Sequence, residues 1–504
     1  MKLSFVLNNS GIRPESADPD ITSITNDSRT AAAGALFFAM PGAKTDGSLF
    51  IRQALEKGAA AVISADEPPA QLRAQFPAAV FLAAPDLQRA LSSTASNFYG
   101  SPSKRLKVFG LTGTKGKTTT AYLLESILLH SGARPGVIGT IDYRVDGRVL
   151  SAAANTTPFA HTLQELLSKM VAADALTAVV EVSSHALALG RVEDVEFDVA
   201  AFTNLQRDHL DFHKDRESYF LAKARLFDLL ARSSKKDKCA VINTDDERAA
   251  ALLKQVKSKV RALTFGIDKS ADFRAGDVVV LENMTRFTLK TGSKAIPVKL
   301  NLLGRHNIYN ALAAIASAAA GGISVRAAVD GVEALANVPG RLERVNLGQD
   351  FTVFVDYAHT DAALENVLSN LKLMPHARII TVFGCGGDRD RTKRAPMGNV
   401  SCSLSDLAIV TSDNPRTENP AQIFADIELG IKGKFSNYEV IPDRGAAIKK
   451  AVEQAAKGDI ILIAGKGHET YQILKDRTIH FSDVEAAAQA IKGKGAGKSP
   501  RGNT

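Results

Sequence analysis

Apolar residues in this chain come in short runs separated by turn residues and by helical spacings. In the first hundred residues the runs fall at 35–39, 59–63 and 79–83, with an amphipathic stretch at 50–58. Runs of this length bounded by turn residues suit buried strands, so a small α/β domain is predicted for residues 1–100. The break Tyr99-Gly-Ser-Pro-Ser103 precedes a strand-like segment at 106–111, and from there to about residue 322 apolar runs alternate with helical patterns. That alternation predicts βαβ units and a mostly parallel sheet, with a central domain at 101–336. A second break, Ala336-Asn-Val-Pro-Gly340, precedes strand candidates at 351–355, 377–383, 407–411 and 459–464. Residues 337–491 are therefore predicted to form a Rossmann-like, doubly wound α/β unit. The chain shows no internal repeat of solenoid period.

Composition narrows the class. At 504 residues the chain exceeds what one core supports, and roughly three domains fit its length. Hydrophobic residues make up 45% and charged residues 23%, the balance of an ordinary globular protein. No apolar run of about 18 residues occurs, and Met1-Lys-Leu-Ser-Phe-Val-Leu-Asn-Asn9 turns polar too early for a signal-peptide core. A cytoplasmic protein without membrane insertion is expected. Cys239, Cys385 and Cys402 are widely spaced, which indicates neither a disulfide framework nor a zinc site. The net charge of +8 suits nucleic acid, an acidic membrane surface or a polyanionic small substrate. Part of the excess lies in residues 492–504, which are predicted to be a flexible basic tail. Without Trp, and without aromatics interleaved among basic residues, nucleic acid is not expected as a partner.

The strongest local signal is Gly110-Leu-Thr-Gly-Thr-Lys-Gly-Lys-Thr-Thr-Thr120, set between a strand and a helical segment. A glycine-rich turn entering a helix presents backbone N–H groups and the positive dipole end to phosphates, while Lys117 can reach the β/γ-phosphates and Thr118 can bind Mg²⁺. The spacing departs from the generic P-loop, because five residues rather than four separate Gly110 from Gly116. A plain surface glycine turn is the alternative.

Thr112-Gly-Thr-Lys-Gly-Lys-Thr-Thr119 resembles the nucleotide loop of the Mur ligases and their folylpolyglutamate synthetase relatives. Glu181-Val-Ser-Ser-His185, Thr203-Asn-Leu205 with Asp208-His-Leu-Asp211, Gly304-Arg-His-Asn-Ile-Tyr-Asn310, Gly340-Arg-Leu-Glu-Arg344 and Asp356-Tyr-Ala-His-Thr360 follow in that family's order, covering the chain from about residue 20 to 485. The resemblance implies three domains: a UDP-binding α/β domain, a central P-loop-type ATPase domain and the C-terminal unit. It also implies an ATP-dependent amide ligase in which a substrate carboxylate is phosphorylated and an amine then attacks the acyl phosphate. ATP would contact Thr112, Gly113, Thr114, Lys115, Gly116, Lys117, Thr118 and Thr119, with Asn307, Arg341 and Asp356. Thr118, Glu181, His209 and Lys223 would hold Mg²⁺, Lys223 as a carbamate, so that Lys117, His209 and Lys223 are the catalytic candidates. The residues alone leave blander readings open. Glu181 could be a strand-end carboxylate facing solvent, His209 a structural helix-start histidine, and Lys223 a snorkelling surface lysine. Asn307, Arg341 and Asp356 could equally be interdomain structural residues.

Thr25-Asn-Asp-Ser-Arg29, Gly34-Ala-Leu-Phe-Phe-Ala39, Pro41-Gly42 and Asp46-Gly47 resemble the UDP-binding domain of the family branch that adds the third amino acid. The resemblance places Ser28 near the uracil-ribose or diphosphate, and Asn155, Thr156, Thr157, Ser183 and Arg191 at the muramoyl peptide. Leu189 stands where that branch commonly has glutamine, and Asp361 where proline is usual.

The C-terminal loops Gly384-Cys-Gly-Gly-Asp-Arg389, Ser412-Asp-Asn-Pro-Arg-Thr-Glu-Asn-Pro420 and Ala464-Gly-Lys-Gly-His-Glu469 each follow a strand candidate and should meet at one sheet edge. There Arg389 and Arg416 could clamp a carboxylate, Asp413 and Glu469 could receive an ammonium, and Pro415 would stiffen the turn. Asp-Asn-Pro-Arg by itself is ordinary turn chemistry. In the family context Asp413, Asn414, Pro415 and Arg416, with Gly465, resemble the site of meso-2,6-diaminopimelate-adding enzymes, whereas lysine-adding ones lack the arginine. The implied partners are UDP-N-acetylmuramoyl-L-alanyl-D-glutamate and meso-2,6-diaminopimelate, with ATP and Mg²⁺ as cofactors and a monomer as the expected state. A lysine-adding homologue, a folylpolyglutamate synthetase and a non-ligase P-loop regulator are the competing readings.

Overall fold

The computed structural model describes residues 1–14, 17–42, 45–281 and 284–496. The chain forms two compact units. The first comprises Met1–Asp277, Phe287–Val298 and His306–Ala334, and the second comprises Val278–Arg286, Lys299–Arg305 and the chain from Leu335 onward. Three principal sheets account for the architecture.

The N-terminal sheet has four parallel strands, Ser23–Thr25, Ala35–Phe38, Ala61–Ser64 and Val80–Ala83, in sequential order. Alternation sends Leu36, Phe38, Ala61 and Ile63 to one face, where Leu87, Leu91 and Ala95 of the helix Leu87–Phe98 cover them. Phe37 and Val62 face the other way, onto Ile51, Ala54 and Leu55. Burial on both faces is why these strands read as continuous apolar runs.

The central sheet is built on six parallel strands in the order Arg261–Gly266, Cys239–Asn243, Val199–Phe202, Lys107–Thr112, Thr177–Glu181, Pro135–Ile138. At one edge the antiparallel strands Asp142–Val145 and Arg148–Ala152 extend it. At the other, Phe273–Val280, Thr285–Thr291 and Lys294–Leu300 bring the total to eleven. These edge strands are the antiparallel and peripheral additions that the expected parallel core does not include.

In the second unit the sheet order is Glu343–Arg344, Thr352–Asp356, Ile460–Ala464, Ile379–Phe383, Leu407–Val410, Tyr438–Val440, parallel except for the first pair. This is the doubly wound arrangement predicted from the apolar runs. A fully buried Arg444–Asp483 pair braces it, with Arg444 Nη2 donating to Ala464 O at 3.0 Å and Nη1 to Ser412 O at 3.3 Å. The expected basic tail needs a correction at its start, because the helix Asp483–Ala496 continues through residues 492–496. Lys494 Nζ reaches the carbonyls of Val452 and Glu453 at 2.8 and 3.1 Å, and Ile491 joins the apolar core. Residues 497–504 lie outside the described residues. Among the described residues no helix is long and apolar enough to cross a membrane.

Candidate functional site

The nucleotide-type loop leaves the strand Lys107–Thr112 and enters the helix Lys117–His130. Its two turn glycines have left-handed or strained φ angles, 152° at Gly113 and 90° at Gly116. A Cβ at Gly113 would collide with Thr203 Oγ1, and one at Gly116 with Asn310 Oδ1, so both positions require glycine. The Thr203-Asn-Leu205 segment braces the loop: Asn204 Oδ1 accepts from Lys115 N at 3.0 Å, and Thr203 Oγ1 donates to Lys115 O at 2.7 Å. Asn310 is set in turn by Asn307, whose Oδ1 accepts from Asn310 Nδ2 at 2.9 Å. Lys117 Nζ folds over the loop, 2.8 Å from Gly113 O.

Glu181, fully buried at its strand end, accepts from Thr118 Oγ1 at 3.0 Å. It also accepts from Thr140 N at 3.0 Å and Thr140 Oγ1 at 2.9 Å. This geometry removes the solvent-facing reading of Glu181. Lys223 is 1% exposed, and its Nζ donates to Gly113 O at 2.9 Å with the Tyr219 ring 4.4 Å away. Burial, reinforced by the Lys117 charge, holds its pKa well below the ordinary lysine value. The snorkelling reading of Lys223 therefore fails. His209 has φ 52° and is half-exposed, with Nδ1 3.9 Å from Asp208 Oδ1 and its ring 6.1 Å from that of Tyr219. Tyr219 closes the group by donating to Thr114 Oγ1 at 3.2 Å. Burial pushes Asp208 up, but Lys115 at 3.1 Å and His209 outweigh it and leave its pKa lowered.

The muramoyl-peptide candidates gather at the end of the Glu181 strand, on its backbone carbonyl and, through Thr140, on its carboxylate. Thr157 Oγ1 donates to Glu181 O at 2.7 Å and accepts from Ser183 N at 3.0 Å. Arg191 Nη1 donates to Thr157 O at 2.8 Å, its Nε is buried without a partner, and the Phe159 ring lies 4.4 Å from its guanidinium. Thr156 Oγ1 lies 3.1 Å from Thr140 Oγ1, and Tyr143 OH donates to Asn155 O at 2.9 Å. Ser28 is separate: it is buried in the N-terminal sheet domain and donates to Gln53 Oε1 at 2.6 Å. Leu189 ends the helix Ser184–Ala188.

In the second unit the three loops meet at the carboxyl edge of the sheet. Arg416 Nη1 donates to Gly387 O at 2.9 Å, and Asn414 Nδ2 donates to Glu469 Oε2 at 2.8 Å. A Cβ at Gly465 would lie 2.9 Å from Asp413 Oδ2. Arg389 is exposed at the rim, and Pro415 is buried in the turn. Lys466, fully buried, donates to Asn414 Oδ1 at 3.2 Å and to Glu469 Oε2 at 3.0 Å. Asp356 accepts from Leu342 N and Ala358 N at 2.8 Å each; burial raises its pKa against the pull of Arg341. Arg341 itself stacks 5.2 Å from the Tyr357 ring. Asp361 begins the helix Asp361–Lys372 behind its Thr360 cap, a position where proline or an acid is equally at home.

Sequence reasoning missed Thr140, Tyr219 and Lys466 as site members. Lys466 lies inside the loop Ala464–Glu469, and the strand-then-glycine context of Gly139-Thr140 is the available signal for Thr140. A cavity of about 720 Å³ opens at the opposite, amino-terminal ends of the central strands, beside Lys107, Lys238 and Arg261. Lys107 and Lys238 there cap carbonyls of Gly321, Ala231 and Ser233 at 2.6–2.8 Å, so this cavity is no part of the site.

Three family domains match the chain in order: the Mur ligase family catalytic domain at residues 20–99, the Mur ligase middle domain at 111–318, and the Mur ligase glutamate ligase domain at 340–467. The UDP-N-acetylmuramoyl-L-alanyl-D-glutamate–2,6-diaminopimelate ligase of Solibacter usitatus is 45% identical over 484 residues, 96% of each chain. That of Bacillus licheniformis is 44% identical over 476 residues, 94% of this chain and 95% of its own. A solved structure of a ligase with the same name superposes with a TM-score of 0.69 at 34% identity, covering 98% of this chain and all of that one.

Proposed function

The chain belongs to the Mur ligase family, and from that premise we infer that it is an ATP-dependent ligase joining meso-2,6-diaminopimelate to UDP-N-acetylmuramoyl-L-alanyl-D-glutamate in cell-wall precursor synthesis. The observation that carries this reading is that Thr118 of the nucleotide loop bonds the buried Glu181 carboxylate directly, while Thr156 of the 155–157 loop reaches the same carboxylate through Thr140. Phosphate donor and carboxylate acceptor would there lie side by side.

Thr112, Gly113, Thr114, Lys115, Gly116, Lys117, Thr118 and Thr119 cradle the ATP phosphates, with Asn307, Arg341 and Asp356 as further nucleotide contacts. Charge on the transferring phosphoryl is held by Lys117 and the loop N–H groups. Thr118 Oγ1 and Glu181 Oε2, 3.0 Å apart, are a hard-oxygen pair. Among the described residues no cluster of three or more His, Cys, Asp or Glu is arranged for a metal. That sparse set fits Mg²⁺, which takes one or two protein oxygens and completes its shell with substrate phosphates and water. Bound there, Mg²⁺ would offset the phosphoryl charge. His209 and Lys223 would complete its surroundings. The depressed pKa of Lys223 favours the neutral amine that adds CO₂ to give a carbamate and a proton.

Ser28, Asn155, Thr156, Thr157, Ser183 and Arg191 hold the UDP-muramoyl dipeptide, the unpartnered Arg191 Nε serving an anionic group. The dipeptide carboxylate attacks the γ-phosphorus and ADP leaves. The diaminopimelate amine then attacks the acyl carbon, and the tetrahedral intermediate expels phosphate. Arg389 and Arg416 receive the distal carboxylate of diaminopimelate, Asp413 and Glu469 its ammonium, and Asn414, Pro415 and Gly465 shape the pocket. We place the enzyme in the cytoplasm, as a monomer.

The test incubates the protein with ATP, Mg²⁺, the UDP-muramoyl dipeptide and each candidate amino acid, and weighs the product. The expected product is the diaminopimelate tripeptide, with ATP hydrolysis that depends on both substrates. A lysine tripeptide, or hydrolysis independent of the dipeptide, refutes the assignment.

A further inference from the structure

Segment 139–145 links Glu181, the muramoyl-peptide loop and the helix that the nucleotide loop opens. Thr140 binds Glu181 through both its N–H and its hydroxyl, at 3.0 and 2.9 Å. Gly139 makes the approach possible, since a Cβ there would lie 2.5 Å from Glu181 Oε1. Tyr143 OH donates to Asn155 O in the muramoyl-peptide loop at 2.9 Å. Arg144, buried and lying 4.0 Å from the Tyr122 ring, makes a two-pronged pair with Glu125 at 2.6–3.1 Å. Glu125 belongs to the helix that the nucleotide loop opens.

The direction of the hydroxyl bonds follows from the donor count. A carboxylate only accepts, so the one proton of Thr140 Oγ1 goes to Glu181 Oε2. Thr140 Oγ1 then has only lone pairs left, so the Thr156 hydroxyl, 3.1 Å away, must be the donor between the two. The chain runs Thr156 to Thr140 to Glu181, with Thr118 meeting the same Oε2 from the nucleotide loop at 3.0 Å. Two consequences follow. Thr156 has spent its proton and can offer substrate an acceptor only, which suits an N–H or O–H of the muramoyl peptide and not its carboxylates. Any change in the charge on Glu181 is also felt two hydroxyls away, because linked hydrogen bonds polarise one another.

We propose that Thr140 is a positioning residue that couples the two substrate sites, so that nucleotide bound at Thr118–Glu181 and dipeptide bound at Thr156 raise each other's affinity. The proposal rests on the ligase assignment above for the identity of the two ligands. Coupling of this kind is reciprocal: the factor by which one ligand tightens the other is the same in both directions.

Thr140→Val removes the hydroxyl, keeps the shape and leaves the Thr140 N–H bond to Glu181 intact. Calorimetry on the full chain measures the Kd of the UDP-muramoyl dipeptide with and without a non-hydrolysable ATP analogue and Mg²⁺, and the Kd of the analogue with and without dipeptide. In the wild type each ligand is expected to tighten the other at least about fivefold. In Thr140→Val the mutual factor should fall to near one, whatever the affinity of each ligand alone. Thr140→Ser should keep the factor, and Thr156→Val should lose it from the other end. Survival of the factor in Thr140→Val, its absence from the wild type, or its loss in Thr140→Ser overturns the proposal and leaves the ligase assignment standing. Failure of wild type to bind the dipeptide at all overturns both. If Thr140→Val does not fold, Thr156→Val and Thr140→Ser decide the matter.

Discussion

Arg416 is the residue whose removal should change what the enzyme selects. Its backbone is left-handed, φ 52°, with N donating to Ile473 O at 3.1 Å, and its guanidinium is held by Gly387 O at 2.9 Å. Among the described residues the side chain bonds only through Nη1, to Gly387 O and to Asn414 O at 3.4 Å, so the rest of the planar fork remains for a ligand. Diaminopimelate and lysine share a carbon chain and differ by one distal carboxylate, so discrimination requires a group that gains from that carboxylate. A hydrogen bond to a charged group contributes about 1.5–3 kcal/mol, or about 10- to 150-fold in affinity. Lysine would instead leave the guanidinium desolvated and unpaired, which adds to the preference. Arg416→Ala isolates the side chain, since alanine meets the same left-handed strain as arginine, whereas glycine would relax the turn as well. Steady-state kinetics should show kcat/KM for meso-diaminopimelate falling about 10- to 150-fold, that for lysine unchanged or raised, and ATP affinity within about twofold. Arg416→Lys, which keeps the charge and loses the fork, should lie between. An unchanged ratio between the two amino acids would refute the argument, as would a wild type that prefers lysine.

Three further outcomes are expected. Lys117→Ala should lose at least about a hundredfold in phosphate release, about 2.7 kcal/mol of barrier, with circular dichroism unchanged; near-normal turnover would remove the loop from the chemistry. Lys223→Ala should be inactive and partly restored by a short carboxylate in solution, while Lys223→Arg should not recover; full activity in either variant sinks the carbamate. Burial pushes His306 down from 6.5 to about 4, so between those values the unfolded chain binds the extra proton and stability declines as pH is lowered through that window. Urea midpoints against pH should fall more steeply in the wild type than in His306→Gln, and parallel curves would contradict the assignment.

What was legible in the sequence was what local backbone chemistry or two-sided burial dictates. Gly113 and Gly116 are glycines because no other residue clears Thr203 and Asn310, so the loop announces itself within a few positions. The parallel strands announce themselves because both their faces are covered, as Phe37 and Phe38 show by packing in opposite directions. Lys223 was not legible, because the helix Arg216–Arg232 inverts the ordinary pattern: Leu221 is 56% exposed while Lys223 is 1% exposed. No periodicity separates a snorkelling lysine from a desolvated one. Thr140 and Lys466 were missed for another reason. Their partners, Glu181 and Asn414, stand 41 and 52 positions away, and only the folded sheet edge brings them together. The resemblance supplied residue roles that periodicity could not. A buried cation on a helix where an apolar residue should sit is costly unless a partner or a lost proton compensates. At Lys223 burial and the charge of Lys117 outweigh what a carbonyl, an aromatic face and Asp208 offer an ammonium, and so favour the neutral amine. The place where the apolar pattern breaks is thus also the place where burial sets an amine against the glycine loop, as expected when local rules yield to chemistry.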